Sequence, residues 1–162
     1  PSRRGAIDAG VVRESASAED LRKLPLLREP FVAVLPPRHH ARRRRPIPLA
    51  ELAEEPFVLF PREVATTLYD EVMDLCRSAA FTPRVVQEAR EWMTIVGLVE
   101  AGLGVSLVPA SFARLRWGGV AYQELTGSRM RTSIFLCVPQ VDCRPTALAL
   151  FETAKEEIRQ RR

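Results

Sequence analysis

Two adjacent histidines, His39 and His40, are the only imidazoles in the chain, so any histidine-based acid–base chemistry must use one of them. A serine nucleophile needs such a base within reach and a tight turn to present its hydroxyl. Ser106 follows Gly104 in Gly-Val-Ser-Leu-Val, but the second residue after it is Val108 where a nucleophile elbow has glycine. Neighbouring histidines point in different directions and no cysteine or carboxylate stands at ligand spacing beside them, so a solvated pair is expected rather than a metal site. Glu88 and Glu91 would share one face if both were helical, as an acid and base would. With no nucleophile or metal set beside them, they read as first-turn acids favoured by the helix dipole. Gly102-Leu103-Gly104 follows a helical pattern and opens a strand, the reverse of a dinucleotide fingerprint, and it lacks the third glycine. It reads as a helix C-cap and turn. Cys76, Cys137 and Cys143 form no Cys-x-x-Cys pair, which points to neither a disulfide framework nor structural zinc. The inventory implies no enzyme, no metal and no cofactor.

Residues suited to binding stand elsewhere. Trp92, a large aromatic at a helix start beside a strand end, sits where α/β folds form ligand pockets; plain core packing is the equal alternative. Thr66 and Thr67 open a helical pattern, where free amides and hydroxyls bind carboxylates well. Capping is the commoner role, and Thr67 with Asp70 resembles a capping box with Asp in place of Glu.

These side chains must be positioned by regular elements. Gly5 to Val12 reads as a strand, and Phe31 to Leu35, inside a proline-flanked segment from Leu24 to Pro36, as a buried one. Leu49 to Ala53 has room for one or two helical turns, and Phe57 to Phe60 is an apolar strand stopped by Pro61. Leu68, Val72, Leu75, Cys76 and Ala79 form one stripe of an amphipathic helix. Pro83 to Gln87 is a strand, and Glu91 to Ala101 a helix that buries both faces and ends at Gly102. Val105 to Pro109, Val120 to Leu125 and Ser133 to Pro139 are strands. A terminal helix carries Ala147, Phe151, Ala154 and Ile158 on its inner face. Alternating strands and helices predict an α/β fold with mostly parallel sheets and ligand clefts at their carboxyl edges.

A chain of 162 residues with 46% hydrophobic and 27% charged residues suits one domain or two small lobes. No apolar run reaches the roughly 18 residues of a membrane helix. The net charge of +4 is local: Arg38 and Arg42 to Arg45 lie within eight residues, and removing them reverses its sign. The run lacks interleaved aromatics and reads as a solvated loop, with no direct DNA role assigned. The cysteine usage suggests a reducing, cytoplasmic setting. The N-terminus has no signal-peptide apolar core and no initiating Met, which suggests a fragment.

Five stretches, in order, resemble the C-terminal effector-binding domain of LysR-type transcriptional regulators. They are GAIDAGVVRE (5–14), LLREPFVAVLPPRHHA (26–41), LAELAEEPFVLFPRE (49–63), LYDEVMDLCRSAAFTPRVVQEA (68–89) and, most specifically, VGLVEAGLGVSLVPAS (96–111). The resemblance implies a type 2 periplasmic-binding-protein-like fold of two α/β lobes around an effector cleft, truncated at the N-terminal part of lobe one. Residues 1–29 and 126–162 then belong to lobe one and residues 30–125 to lobe two, with hinge strands near Leu24–Leu35 and Val120–Pro139.

The function so implied is effector sensing and oligomerisation, with a small aromatic or aliphatic carboxylate inducer altering promoter binding. Partners would be the inducer and the chain itself, as a homodimer and, in the full-length regulator, a tetramer. Promoter DNA would be reached only through an N-terminal helix-turn-helix absent from this chain, and no membrane is involved. Matching motifs places Pro61, Arg62, Thr66, Leu68, Trp92 and Ile134 around the effector. Thr66 and the helix amides would hold the carboxylate, Arg62 would add charge, and Leu68, Trp92 and Ile134 would pack against the apolar part. Related regulators often carry an aliphatic residue where Trp92 stands, so a smaller pocket or a flat-ring ligand is implied. A free-standing solute-binding protein of the same fold is the alternative.

Overall fold

The computed structural model describes residues 7–13, 20–43, 46–115, 117–128 and 130–160; Gly5, Ala6, Arg44 and Arg45, on which parts of the strand and loop expectations fall, lie outside them. Among the described residues eight strands run in order: β1 Gly10–Arg13, β2 Leu21–Leu35, β3 Ile47–Pro48, β4 Pro56–Leu59, β5 Arg84–Glu88, β6 Ser106–Pro109, β7 Ala121–Thr126 and β8 Arg131–Pro139. Three α-helices join them: α1 Thr66–Ser78, α2 Trp92–Glu100 and α3 Pro145–Gln160. The chain divides into two compact units, one made of residues 1–28 with 132–162 and the other of residues 29–131. It therefore crosses between them twice, within β2 and at the start of β8.

In the contiguous unit, β2 runs antiparallel to β6, with Phe31 opposite Pro109, and to β7, with Leu35 opposite Ala121. Phe31 to Leu35 are all buried, as an apolar run walled on both faces must be. β3 and β7 are parallel, and so are β4 and β5. Val105 forms a parallel bridge to Phe57, exchanging hydrogen bonds with Pro56 at 2.8 Å and Val58 at 2.9 Å. A Cβ on Gly104 would lie 2.2 Å from the Pro56 carbonyl oxygen, so only glycine lets these strands approach so closely. Leu52, Phe57 to Phe60, Ile95, Val96, Val99 and Leu107 fill one core.

The α/β architecture in two units is as expected, but antiparallel pairing has a larger share than the strand–helix alternation implied. β2 is a long strand shared by both units, and β6 and β7, both later in sequence, pair antiparallel against its inner half. Helix α1 buries Leu68, Val72, Met73 and Cys76, with Met73 taking a core place the sequence stripe gave to Leu75. In α2, Ile95, Val96 and Val99 are buried while Met93 is exposed, so only one face is covered. Gly102, at φ +85°, ends α2 in a Schellman turn: Leu103 N–H donates to Leu98 C=O and Gly102 N–H to Val99 C=O.

In the divided unit, β1 pairs antiparallel with β8, Gly10 opposite Cys137 and Arg13 opposite Ile134. Leu136 and Val138 of β8 form a small core with Ala147 and Phe151 of α3, and Leu24 of β2 packs against it. Phe151 and Ala147 are the inner-face residues the terminal periodicity named.

Candidate functional site

Parallel pairing brings the ends of β4 and β5 to one edge, where the Ala89 amide donates to the Leu59 carbonyl at 3.0 Å. Chain leaving that edge starts α1 through 60–65 and α2 through 89–91, so both helix N-termini lie just beyond the strand ends. Such an edge is the usual seat of a ligand in an α/β unit.

Four aromatic rings line up there. Trp92, the first residue of α2, meets Phe60 nearly edge-on at 5.1 Å between centroids and Phe112 at 5.7 Å. Phe60 in turn meets Tyr69 of α1 edge-on at 6.0 Å. Trp92 is half-buried, so its two readings merge: it packs against the core and keeps part of its ring open. Phe112 comes from a short 3-10 turn, Ala110–Leu115, that follows β6.

Thr66 does not cap α1. The N-cap position is Ala65, with no side-chain bond to the helix amides, and the first turn carries no acid. The Thr66 hydroxyl instead donates to the Arg62 carbonyl at 3.2 Å. The capping box expected of Thr67 and Asp70 cannot form, because the helix already starts at Thr66 and Thr67 lies inside it, while Asp70 is engaged elsewhere. The Arg62 guanidinium makes two parallel bonds to it, at 2.8 and 2.7 Å. That pairing draws the Asp70 carboxyl below its ordinary range and raises Arg62 further. Arg90 and Glu63 approach at 3.5 Å, linking the loop before α2 to the loop before α1.

Of the six residues expected around the effector, the structure puts Pro61, Arg62, Thr66 and Trp92 at this edge, with Pro61 buried and Arg62 and Thr66 exposed. Leu68 lies one residue past the first two of α1 but is only 5% exposed and sits in the core beneath. Ile134 is half-buried on β8, in the divided unit. Phe60, Tyr69 and Phe112 were not singled out in the sequence. Phe60 carried a signal, as the last apolar residue of a strand stopped by proline, whereas Phe112 has none.

The histidine pair differs from expectation. The His39 side chain is only 4% exposed, and its Nε2 lies 3.0 Å from Glu55 Oε1. Its Nδ1 accepts the Ala41 N–H at 3.1 Å, and its ring stacks on His40 at 4.4 Å. His39, His40 and Glu55 bring possible ligand atoms within 4.8 Å of one another. Because Nδ1 accepts, the hydrogen-bond pattern assigns the proton to Nε2, which then donates to Glu55 and has no lone pair for a metal. The nearly parallel rings, at 26°, also fail to converge on one point. The cluster is a loop brace that sequence spacing could not show, since Glu55 lies sixteen residues away.

Comparison with known proteins gives a consistent result. The family described as LysR substrate binding domain matches residues 2–159. The HTH-type transcriptional regulator YnfL of Escherichia coli (strain K12) is 43% identical over 125 residues, covering 74% of this chain and 42% of YnfL. The regulator CatR of Pseudomonas putida is 33% identical over 141 residues, covering 87% of this chain and 48% of CatR. The chain thus spans less than half the length of these curated relatives. Among solved structures, the BenM effector binding domain with its effector benzoate aligns at a TM-score of 0.78 and 26% identity, over 97% of this chain and 72% of that one.

Proposed function

The chain belongs to the LysR substrate binding domain family, and on that premise we propose that its effector is a small carboxylate held where β4 and β5 end. The observation that carries this reading is an α1 N-terminus with neither side-chain cap nor first-turn acid, set beside the half-open ring of Trp92. Free amides and the helix dipole suit the anionic head, and the aromatic cluster suits an apolar or ring-bearing body. The benzoate found with BenM is a compound of this class, which supports the assignment.

In the intact regulator the bound effector favours one conformation of the domain and so alters promoter contacts made by an N-terminal helix-turn-helix. Homodimeric and tetrameric assembly and a cytoplasmic setting complete the reading. The named relatives are transcriptional regulators, in keeping with a sensing rather than a bond-breaking role. Among the described residues no helix is long and apolar enough to cross a membrane.

Thermal-shift and calorimetric titration with benzoate and a panel of aromatic and aliphatic carboxylates tests the site. A carboxylate that raises the unfolding temperature, and loses its effect in both Thr66→Ala and Trp92→Ala, is the expected result. A response that survives in both variants would place the effector elsewhere.

A further inference from the structure

A second concave face lies within the unit of residues 29–131; it shares no lining residue with the aromatic cluster at the β4–β5 edge, although Ala110 and Ala113, on either side of Phe112, line part of it. It consists of two adjoining depressions. One, of about 590 Å³, is lined by Trp117, Tyr122, Glu124 and the backbone around Gly118, with Val32 and Val120 in its walls. The other, of about 670 Å³, is lined by Pro37, Arg38, His39, His40, Arg42 and Arg43. Arg42 borders both, so an aromatic depression and a cationic one share one guanidinium side chain. Each falls in the size range of small-molecule sites.

The chemistry of the two ends is complementary to one kind of ligand. At the cationic end Arg38, Arg42 and Arg43 are exposed, and no ion pair to any of them occurs among the described residues. Glu55, which the loop also approaches, is already bonded to His39. Three guanidiniums around a hollow, without counter-charge, are a receptor for an oligoanion with clustered oxygens, since planar N–H pairs match phosphate geometry. At the aromatic end Trp117 is 40% exposed, a flat ring that an isolated fold gains nothing by leaving in water. Glu124 lines the same depression, exposed and with no hydrogen bond or ion pair among the described residues, as an acceptor for ring amino or imino groups. The Tyr122 hydroxyl is buried without a partner, so a polar group introduced there would satisfy it.

We propose that this face binds a purine nucleoside polyphosphate, with the phosphates on Arg38, Arg42 and Arg43 and the base against Trp117 within reach of Glu124. The long arginine-rich loop, which looked in sequence like a solvated charge run, then has a specific task. The fold supplies the aromatic partner from some seventy-five residues further on, at Trp117. Stacking holds any base, whereas a carboxylate beside the stack favours one presenting adjacent N–H groups, as guanine does.

Calorimetric titration of this chain with GTP, ATP, guanosine, inorganic tripolyphosphate and a short single-stranded DNA tests the proposal. GTP is expected to bind, to weaken about tenfold in Trp117→Ala and in the double variant Arg38→Gln/Arg43→Gln, and to weaken as salt rises. Thr66→Ala, at the carboxylate edge, should leave GTP binding unchanged, which keeps this result separate from the effector assignment. Tripolyphosphate binding as tightly as GTP would show that the base is not held, and guanosine doing so would show the same of the phosphates; either overturns the proposal. Tighter binding of the oligonucleotide than of GTP would make the face a nucleic-acid surface instead, and no binding of GTP by a folded chain would dismiss it outright.

Discussion

Glu29 holds Ser111 twice: one carboxylate oxygen accepts the Ser111 amide at 2.5 Å and the other accepts its hydroxyl at 3.0 Å. Glu29 is the first residue of the contiguous unit, on the strand by which the chain enters it, and is only 5% exposed. Ser111 is the second residue of the 3-10 turn that supplies Phe112 to the aromatic cluster. The bond pair therefore anchors one wall of the candidate effector site to the point where β2 enters the unit. Removing the carboxylate leaves a part-buried amide and hydroxyl unpaired. Glu29→Ala should cost about 2 to 4 kcal/mol, and Glu29→Gln, which keeps one acceptor, about half as much. Urea unfolding midpoints of the two variants measure the difference, and equal midpoints would remove the carboxylate's structural role.

Ala80 sits at φ +65°, where it closes α1 in the same turn that Gly102 makes after α2. Phe81 N–H reaches Cys76 C=O and Ala80 N–H reaches Arg77 C=O. A Cβ in this left-handed region is strained, so Ala80→Gly should raise stability by about 0.5 to 1 kcal/mol. Gly102→Ala should lower it by a similar amount, although nothing lies within 4 Å of the added carbon. Opposite signs from one chemical change, read by denaturant titration, are the expected signature.

The Cys76 thiol is fully buried on α1, and burial pushes its pKa up to about 12 from an ordinary value near 9. At neutral pH it is protonated in both folded and unfolded chains and affects nothing. Between about pH 9 and 12 the unfolded thiol ionises while the folded one stays neutral, so the folded chain holds more protons and stability falls as pH rises. The slope from this one group is at most about 1.4 kcal/mol per pH unit. Cys76→Ala should flatten the alkaline limb of a stability–pH curve, despite its cavity cost. Thiol reagents at pH 8 should label half-buried Cys143 well before Cys76.

Arg62 faces the carboxylate edge but spends two of its donors on Asp70. Asp70→Ala would free the guanidinium and should tighten carboxylate binding about three- to tenfold, with little change in unfolding temperature because both partners are exposed. Adding Arg62→Ala to that background should erase the gain. Unchanged affinity in Asp70→Ala would show that Arg62 is held for structure alone.

Elements with a strong period were legible from the residues: α1, α3, the buried half of β2 and β4 fell within a few residues of expectation, because burial imposes the spacing that was read. The Gly102 turn was legible for the same reason, since an αL end has a residue preference. What escaped were relationships set only by tertiary approach. The brace from His39 to Glu55 and the grip of Glu29 on Ser111 join residues with no sequence rhythm between them. Phe112, the far wall of the aromatic cluster, sits in an irregular turn. Thr67 and Asp70 matched a capping pattern, yet the helix starts at Thr66, which leaves Thr67 inside it and Asp70 to Arg62. Trp92 was legible as a large aromatic at a helix start, but only its neighbours Phe60 and Phe112 show that packing and partial exposure coexist on one ring.

The two crossings of the chain also set an order of events during synthesis. Residues 29–131 carry their whole core in one uninterrupted stretch, so that unit can close as soon as β7 has emerged. β1 has to wait for β8, whose partner residue for Gly10 is Cys137, and until α3 follows, its apolar face and that of β8 have nothing to cover them. The slow, long-range closure thus belongs to the divided unit. Once β7 has cleared the ribosome, a closed contiguous unit is attached to a divided one that still lacks β8 and α3, and that interval is the vulnerable one for chaperone capture or aggregation.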